Sequence, residues 1–542
     1  MNAIRSRLGI LFSALAFVAA PLAQEQHQHP AGEKLGTVNF QTSCSPEAQT
    51  QFNRAMSLLH SFEFGQAIEG FNAASKADPS CAIAHWGVAM SRWTNPFQLS
   101  TRAATQIQQG LAAIRQAEQA GAKTQRERDY IAAAAKLYVD ADKLDQRTRV
   151  VAYEKAMSEL AAKYPDDREA SIFWALSLTA AALPSDKSYA NQLKAGAILE
   201  KLYPEQPNHP GITHYIIHSY DVPALAPKAM ASAERYATIA PSAPHALHMP
   251  SHTFTRVGAW QESIDTNRAS ADVAKKVNAR GEQLHAMDYM TYAYLQSGQD
   301  KAVQTLMQGL PEVAAQFDPN AIQGAASGVA GVFALSAIPA RWVLERRDWK
   351  AAAALKEPAS SPYPYTEALV HFARAIGAAH TGALDQARAS IKALDTINQQ
   401  LTTAKEAYWA EQVAIQRDGA TAFLRLAEGK RDEALALMRA TADREDATEK
   451  SAITPGPIAP ARELLGDMLL DMKQAAAALK EYQAVLKKEP NRFRATYGAA
   501  KAAALSGDNA TARTNFQQIV KLCPKGDAPG RPELEEARRA AK

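Results

Sequence analysis

Histidine is where this sequence concentrates its chemistry. Six of the 13 histidines (His209, His214, His218, His245, His248 and His252) fall between positions 209 and 252, where an even spread would put about one. Their spacing says more than their number. His214 and His218 are four apart, one helical turn, so they share a helix face, and His248 and His252 repeat that spacing. His214 to His248 is 34 residues, as are His218 to His252 and Pro210 to Pro244. The same two helix positions therefore carry histidine in consecutive units of a 34-residue repeat. Imidazole suits zinc, copper, iron or nickel. Two rings one turn apart can chelate an ion, and a helix packed about 8–10 Å away can supply more ligands. His214, His218, His248, His252 and Asp288 are the candidate metal ligands, Asp288 either directly or by orienting a histidine.

Two other readings stand beside this one. A polar groove could take a peptide or small anion, for which the Arg256 guanidinium is suited. The rings could also simply stack. The isolated His60, His85, His371 and His380 read as packing or hydrogen-bonding residues. Pro250, between His248 and His252, removes a helix hydrogen bond and predicts a kink that would make the two imidazoles diverge.

The elements that must position these residues are helices. Alanine-rich segments run almost end to end, and β-branched alternation is scarce. The clearest unit reads Gly466, Ala478, Tyr482, Val485, Pro490, and the next Ala500, Ala512, Phe516, Ile519, Pro524, each pair 34 residues apart. An N-terminal copy reads Ala67, Phe71, Ala74, Pro79. Small residues allow two helices to approach, the aromatic fills the space between units, and proline ends the helix. The pattern resembles the tetratricopeptide repeat (TPR) consensus across nearly the whole chain, which implies an all-α solenoid of stacked helical hairpins.

Within that resemblance, Gly258 and Ser263 set the register of the repeat beginning at Pro244. His245, His248 and His252 then fall at positions two, five and nine of helix A, which in TPR proteins line the concave groove. Thr255 and Arg256 follow at twelve and thirteen. The preceding repeat puts His214 and His218 at five and nine. Gly298 puts His285, Asp288 and Tyr292 at two, five and nine of the next. The expected groove lining is therefore His245, Thr255, Arg256, His285 and Tyr292. The stretches 214–218, 245–252 and 285–289 also resemble a group of exported bacterial TPR proteins, a likeness that supports fold and export but assigns no reaction.

The organisation expected is a signal peptide at 1–23, a flexible segment at 24–45, and a TPR-like solenoid at 46–450 with its His-rich concave centre at 209–292. A Pro-rich break at 451–460, two repeats at 461–525 and a charged tail at 526–542 follow. Arg5 and Arg7 precede an apolar run, Leu8 to Ala20, of signal-peptide length. The mature chain is expected in the periplasm or outside the cell, with no membrane insertion after cleavage. Loss of residues 1–23 lowers the formal charge from +4 to +2, and no basic block stands out, which argues against nucleic acid as a partner. Cys44 and Cys81 lie at helix starts one repeat apart, neighbours in a stacked array, and are expected to pair in an oxidising compartment.

No phosphate-loop Lys-Ser/Thr pair follows the glycines at 324–331, and no Gly-x-Ser-x-Gly elbow occurs. The first functional reading is a scaffold that takes a protein or peptide in the concave groove, with a possible zinc, copper or iron ion at its histidines. The alternative is a periplasmic metal carrier or a metal-dependent enzyme using the 214–288 cluster. The lack of His-Glu pairs argues against a di-iron centre and leans away from an enzyme.

Overall fold

Each repeat is a pair of helices held together by small residues meeting a large one. Near the C-terminus Ala461–Asp471 pairs with Ala475–Lys488, and Phe493–Leu505 with Asn509–Leu522. Gly466 and Gly498, on successive first helices, both face the buried Tyr482 ring, and a Cβ added to either would lie 2.8 or 2.3 Å from it. Any larger residue would force the helices apart, which is the physical content of the small-residue positions in the repeat. The computed structural model describes residues 32–326 and 328–541, so the expected signal peptide and residues 24–31 lie outside the described residues. From Pro46–His60 to Pro532–Ala540, helix follows helix, most packed on their neighbours in sequence, with no strand among the described residues. The chain is an all-α, TPR-like solenoid.

The compact unit begins at Lys34, and two features of it differ from the sequence reading. The segment expected to be flexible up to residue 45 is packed from Lys34 onward. Phe40 is fully buried, its ring 5.1–5.6 Å from those of Phe52, Trp86 and Tyr130, and the backbone N–H of Thr37 donates to Asn208 O (3.0 Å). The polar composition hid the cause: Leu35, Val38 and Phe40 are buried while their polar neighbours remain at the surface. The Pro-rich stretch at 451–460 separates Arg431–Asp446 from Ala461–Asp471, as a break should, but it is also an internal strap with Ser451 and Thr454 buried. The 526–542 tail ends in a helix, Pro532–Ala540, whose Leu534 and Ala537 cap the last repeat.

Helices far apart in sequence pack on one another within the array. Arg280–Gln296 packs against both Gly328–Glu345 and Phe493–Leu505, and Pro46–His60 packs against Pro210–Ser219. Buried Arg492 donates to Glu463 (2.7 Å) and Tyr292 Oη (3.0 Å) and pairs with Glu345, joining three distant helices. Gly328–Glu345 is long and apolar enough to cross a membrane, the one such helix among the described residues, yet 67% of it is buried inside the protein.

Cys44 and Cys81 form a disulfide that ties the start of the first hairpin to the next helix, with Cα atoms 5.0 Å apart and a sequence separation of 37. In the chain-entropy account a closed loop of this size stabilises by about 4 kcal/mol. Cys81→Ala is accordingly expected to lower the denaturation midpoint, as read by chemical unfolding under oxidising conditions. A variant as stable as the parent would show that the core alone holds this end.

Candidate metal centre

Two sets of three imidazoles meet inside the solenoid. The first is His214 and His218, from Pro210–Ser219, with His245 from Pro244–His248. The second is His248 and His252, on either side of the Pro250 break, with His285 from Arg280–Gln296. Within each set one ligand nitrogen per ring lies within 4.8 Å of the other two. All six side chains are buried, none more than 7% exposed.

Pro250 does not splay its neighbours. Helix Pro244–His248 ends and Pro250–Val257 begins at Met249, which keeps helical torsions (φ −53°, ψ −36°), so the rings stay on one face despite the missing hydrogen bond. His248 Nε2 and His252 Nε2 lie 3.1 Å apart, converging where divergence was expected.

Hydrogen bonds behind the rings fix which nitrogen faces inward. Asn267 donates from Nδ2 to Ser263 O (2.7 Å), which orients its amide so that Oδ1 accepts from His248 Nδ1–H (2.6 Å). His252 Nδ1–H donates to Asp221 Oδ2 (2.8 Å). His214 Nδ1–H donates to the His60 carbonyl (2.6 Å). With each Nδ1 committed as a donor, each Nε2 presents a lone pair. A partner behind the ring that fixes its tautomer and aim is the arrangement seen around metal-ligating histidines. Further ring nitrogens have no hydrogen-bond partner though buried: His214 Nε2, His218 Nε2, both nitrogens of His245, and His285 Nδ1. An unsatisfied buried polar atom costs about 1–3 kcal/mol, so such a concentration in one place calls for a common partner, and a cation at each set supplies it. The donor chemistry therefore fits a transition metal.

Burial, reinforced by the neighbouring rings, holds the His214, His218, His248 and His285 imidazoles well below the ordinary value. Burial also lowers His252, to about 4, against the opposing pull of Asp221. These rings are neutral at pH 7 and ready to ligate without first losing a proton. In the unfolded chain they titrate near 6.5. Folded values below unfolded ones mean that the unfolded chain binds more protons under pH 6.5. Stability of the metal-free protein is thus full above that pH and falls as pH drops from about 6.5 toward about 4, by on the order of 3 kcal/mol for a ring shifted as far as His252. Thermal unfolding at pH 7.5 and pH 5 reads this directly, and an unchanged midpoint would contradict the burial of neutral rings.

Several residues expected here do other work. Asp288 joins neither set: its Oδ1 accepts from Arg341 Nε (2.8 Å), a buried guanidinium on Gly328–Glu345 that claims the carboxylate first. Arg256, expected to face a groove, donates to Asp221 Oδ1 and to the Asp221 carbonyl (both 2.8 Å). Thr255 Oγ1 lies 3.2 Å from Ser263 Oγ, and Tyr292 Oη donates to Glu489 Oε2 (3.2 Å). The expected groove lining is thus consumed within the protein, while His245 and His285, placed in the groove rather than among the ligands, complete the two sets. Sequence reasoning missed Asp221, Asn267 and Phe62. Asp221, three residues beyond His218, offered a local signal. Phe62, its ring 4.3–5.8 Å from those of His214, His218 and His245, offered none.

A third group contrasts with these. Glu169 takes His60 Nε2 on one oxygen (3.0 Å) and His209 Nε2 on the other (2.9 Å), and His60 Nδ1 pairs with Tyr215 Oη (3.0 Å). Burial would raise the Glu169 carboxyl, but the two imidazoles outweigh it and hold it below the usual range. Its hydrogen bonds are nearly all made, which makes it a clamp between helices.

No family model matches this chain, and no curated protein does. Among solved structures, a human IFIT1 dimer with m7Gppp-AAAA is similar at 11% identity, covering 89% of this chain and 96% of that one, with a TM-score of 0.34. A monomeric IFIT1 mutant with Gppp-AAAA gives the same identity and TM-score, with 98% of its chain covered. The TPR domain of P58(IPK) is similar at 13% identity over 69% of this chain and 98% of its own, with a TM-score of 0.21. Scores of this size carry no argument about function, and the TPR-like fold rests on the paired helices of this chain.

Proposed function

We propose that this protein is an exported transition-metal-binding protein whose imidazole sets hold the ion in the interior of the solenoid. One observation carries the reading. His248 and His252 aim their Nε2 lone pairs at each other across 3.1 Å while both Nδ1 atoms are committed as donors to other residues. Two lone pairs at that distance repel unless a cation lies between them, and the low proton affinity of these rings favours a metal over a proton. Imidazole-only donors suit zinc, copper or iron among the common ions. Export is supported by the Arg5, Arg7 and Leu8–Ala20 pattern and by the Cys44–Cys81 disulfide.

A peptide in the concave groove is the less favoured role, because Thr255, Arg256 and Tyr292 are paired internally and the histidines are buried. Deep burial and the scarcity of carboxylate ligands favour holding or carrying a metal over a hydrolytic site, which needs an open coordination position and a nearby base.

The test is metal content by mass spectrometry on untagged mature protein, followed by titration of chelator-stripped protein with zinc(II), copper(I) and iron(II), in the parent and in a His248→Phe/His252→Phe variant. Metal retained through gel filtration by the parent, and reduced in a variant with parental circular dichroism, is the expected result. A folded parent that neither carries nor takes up any of these ions would sink the proposal.

A further inference from the structure

The second imidazole set is the first moved along by one repeat. His214 and His218 occupy the two turn-related positions of one first helix, and His248 and His252 occupy the same positions 34 residues later. Each pair is completed by a histidine near the start of the next first helix, His245 for the first pair and His285 for the second. The solenoid has therefore built the same three-nitrogen site twice, side by side.

The two sites share a wall. His218 and His252 ring centroids are 5.5 Å apart, and those of His245 and His248 are 5.8 Å apart. Within the sets the separations run from 4.4 Å (His248–His285) to 6.5 Å (His252–His285), so the gap between sets is no wider than the spacing inside them. A cavity of about 40 Å³ is bordered by two rings of each set, His218 and His245 from the first and His252 and His285 from the second. About 10–15 Å³ is enough for one water, so this space takes a ligand of one to three heavy atoms.

Each set also has a carboxylate behind one ring. Asp221 Oδ2 accepts from His252 Nδ1, and Glu282 Oε2 lies 3.7 Å from His245 Nδ1. A cation in either set thus has a carboxyl group one imidazole away, which lowers the cost of burying it.

On the metal-binding reading above, we propose that the two sets hold one ion each, and that the pair forms a dinuclear centre sharing a small ligand such as hydroxide in the cavity that rings of both sets border. Three imidazole nitrogens leave each ion short of a full tetrahedral set, and a bridging ligand completes both at once. Imidazole-rich sites bind copper(II) more tightly than the other divalent first-row ions, so copper(II) is the probe.

The experiment is a copper(II) titration of the metal-free, full-length mature protein, with bound copper counted after gel filtration and its electron paramagnetic resonance recorded. Two double variants, His214→Phe/His218→Phe and His248→Phe/His252→Phe, each remove the chelating pair of one set, and circular dichroism reports their folding. We expect two copper ions per parent chain, with a spin signal broadened or diminished by coupling. Each variant should hold one ion with the full signal of an isolated copper(II). One ion in the parent would overturn the pair while leaving a metal-binding protein. Two ions with two full, uncoupled signals would overturn the shared ligand. No copper, zinc or iron uptake at all would instead refute the metal-binding reading beneath it. The parent count needs no variant, so a misfolded substitution leaves the test intact.

Discussion

Replacing Arg341 by methionine is expected to destabilise the protein by about 3–5 kcal/mol and to loosen one wall of the imidazole chamber. The side chain is fully buried, on Gly328–Glu345, and its bonds go in two directions. Nε donates to Asp288 Oδ1 (2.8 Å), while Nη1 and Nη2 donate to the Pro457 and Gly456 carbonyls (both 3.0 Å) and to Thr454 Oγ1 (2.6 Å). Removing it leaves the Asp288 carboxylate buried without a counter-charge, and breaking one half of a buried pair typically costs that much. The same change frees the 454–457 strap from its main anchor, although Tyr289 Oη still reaches the Ala452 and Thr454 carbonyls (both 3.2 Å). Because Ser451, Ala452 and Ile453 border the cavity, strap opening should speed metal exchange. Chemical denaturation gives the first effect, and hydrogen exchange at 451–457 with the rate of metal transfer to a chelator gives the second. Adding Asp288→Leu should recover much of the stability, since an apolar pair can replace a buried ion pair at little cost. It should not restore slow metal exchange, because the strap contacts stay broken. A single Arg341 variant with parental stability would show that Asp288 finds another partner.

The second large effect is stabilisation by metal itself. A ligand that binds only the folded chain stabilises it by about 4 kcal/mol at a thousandfold excess over its dissociation constant, and each occupied set should contribute a similar amount. Ring nitrogens that are buried and unpartnered without a metal gain bonds when it binds, so the thermal midpoint of stripped protein should rise on adding metal and fall again with chelator. The rise should be about halved in His248→Phe/His252→Phe. In a variant with all six rings replaced it should vanish, while the Glu169 clamp, with His60 and His209 untouched, still supports the fold. A midpoint that ignores zinc, copper and iron alike in the parent would overturn the metal-binding reading.

Much of this protein was legible in its sequence. The 34-residue period named the helical pairs, because one hairpin buries one face on each neighbour and the same positions recur. Histidines four apart, repeated at that period, marked His214, His218, His248 and His252 as a group, and helical geometry alone puts each pair on one face. Stacking of equivalent helix starts paired Cys44 with Cys81. Tertiary structure decided the rest. A repeat pattern describes contacts between neighbours in sequence, whereas helices far apart in sequence also pack on one another within the array. Whether a groove is open or packed depends on chain that the local pattern does not contain. That is why the 451–460 break became a wall, while Asp288 and Arg256 were claimed nearer by, by Arg341 and Asp221, charged partners that the repeat positions do not specify. The aim of an imidazole likewise depends on what stands behind it. Asn267, Asp221 and the His60 carbonyl fix that aim, and only folding brings them to the rings.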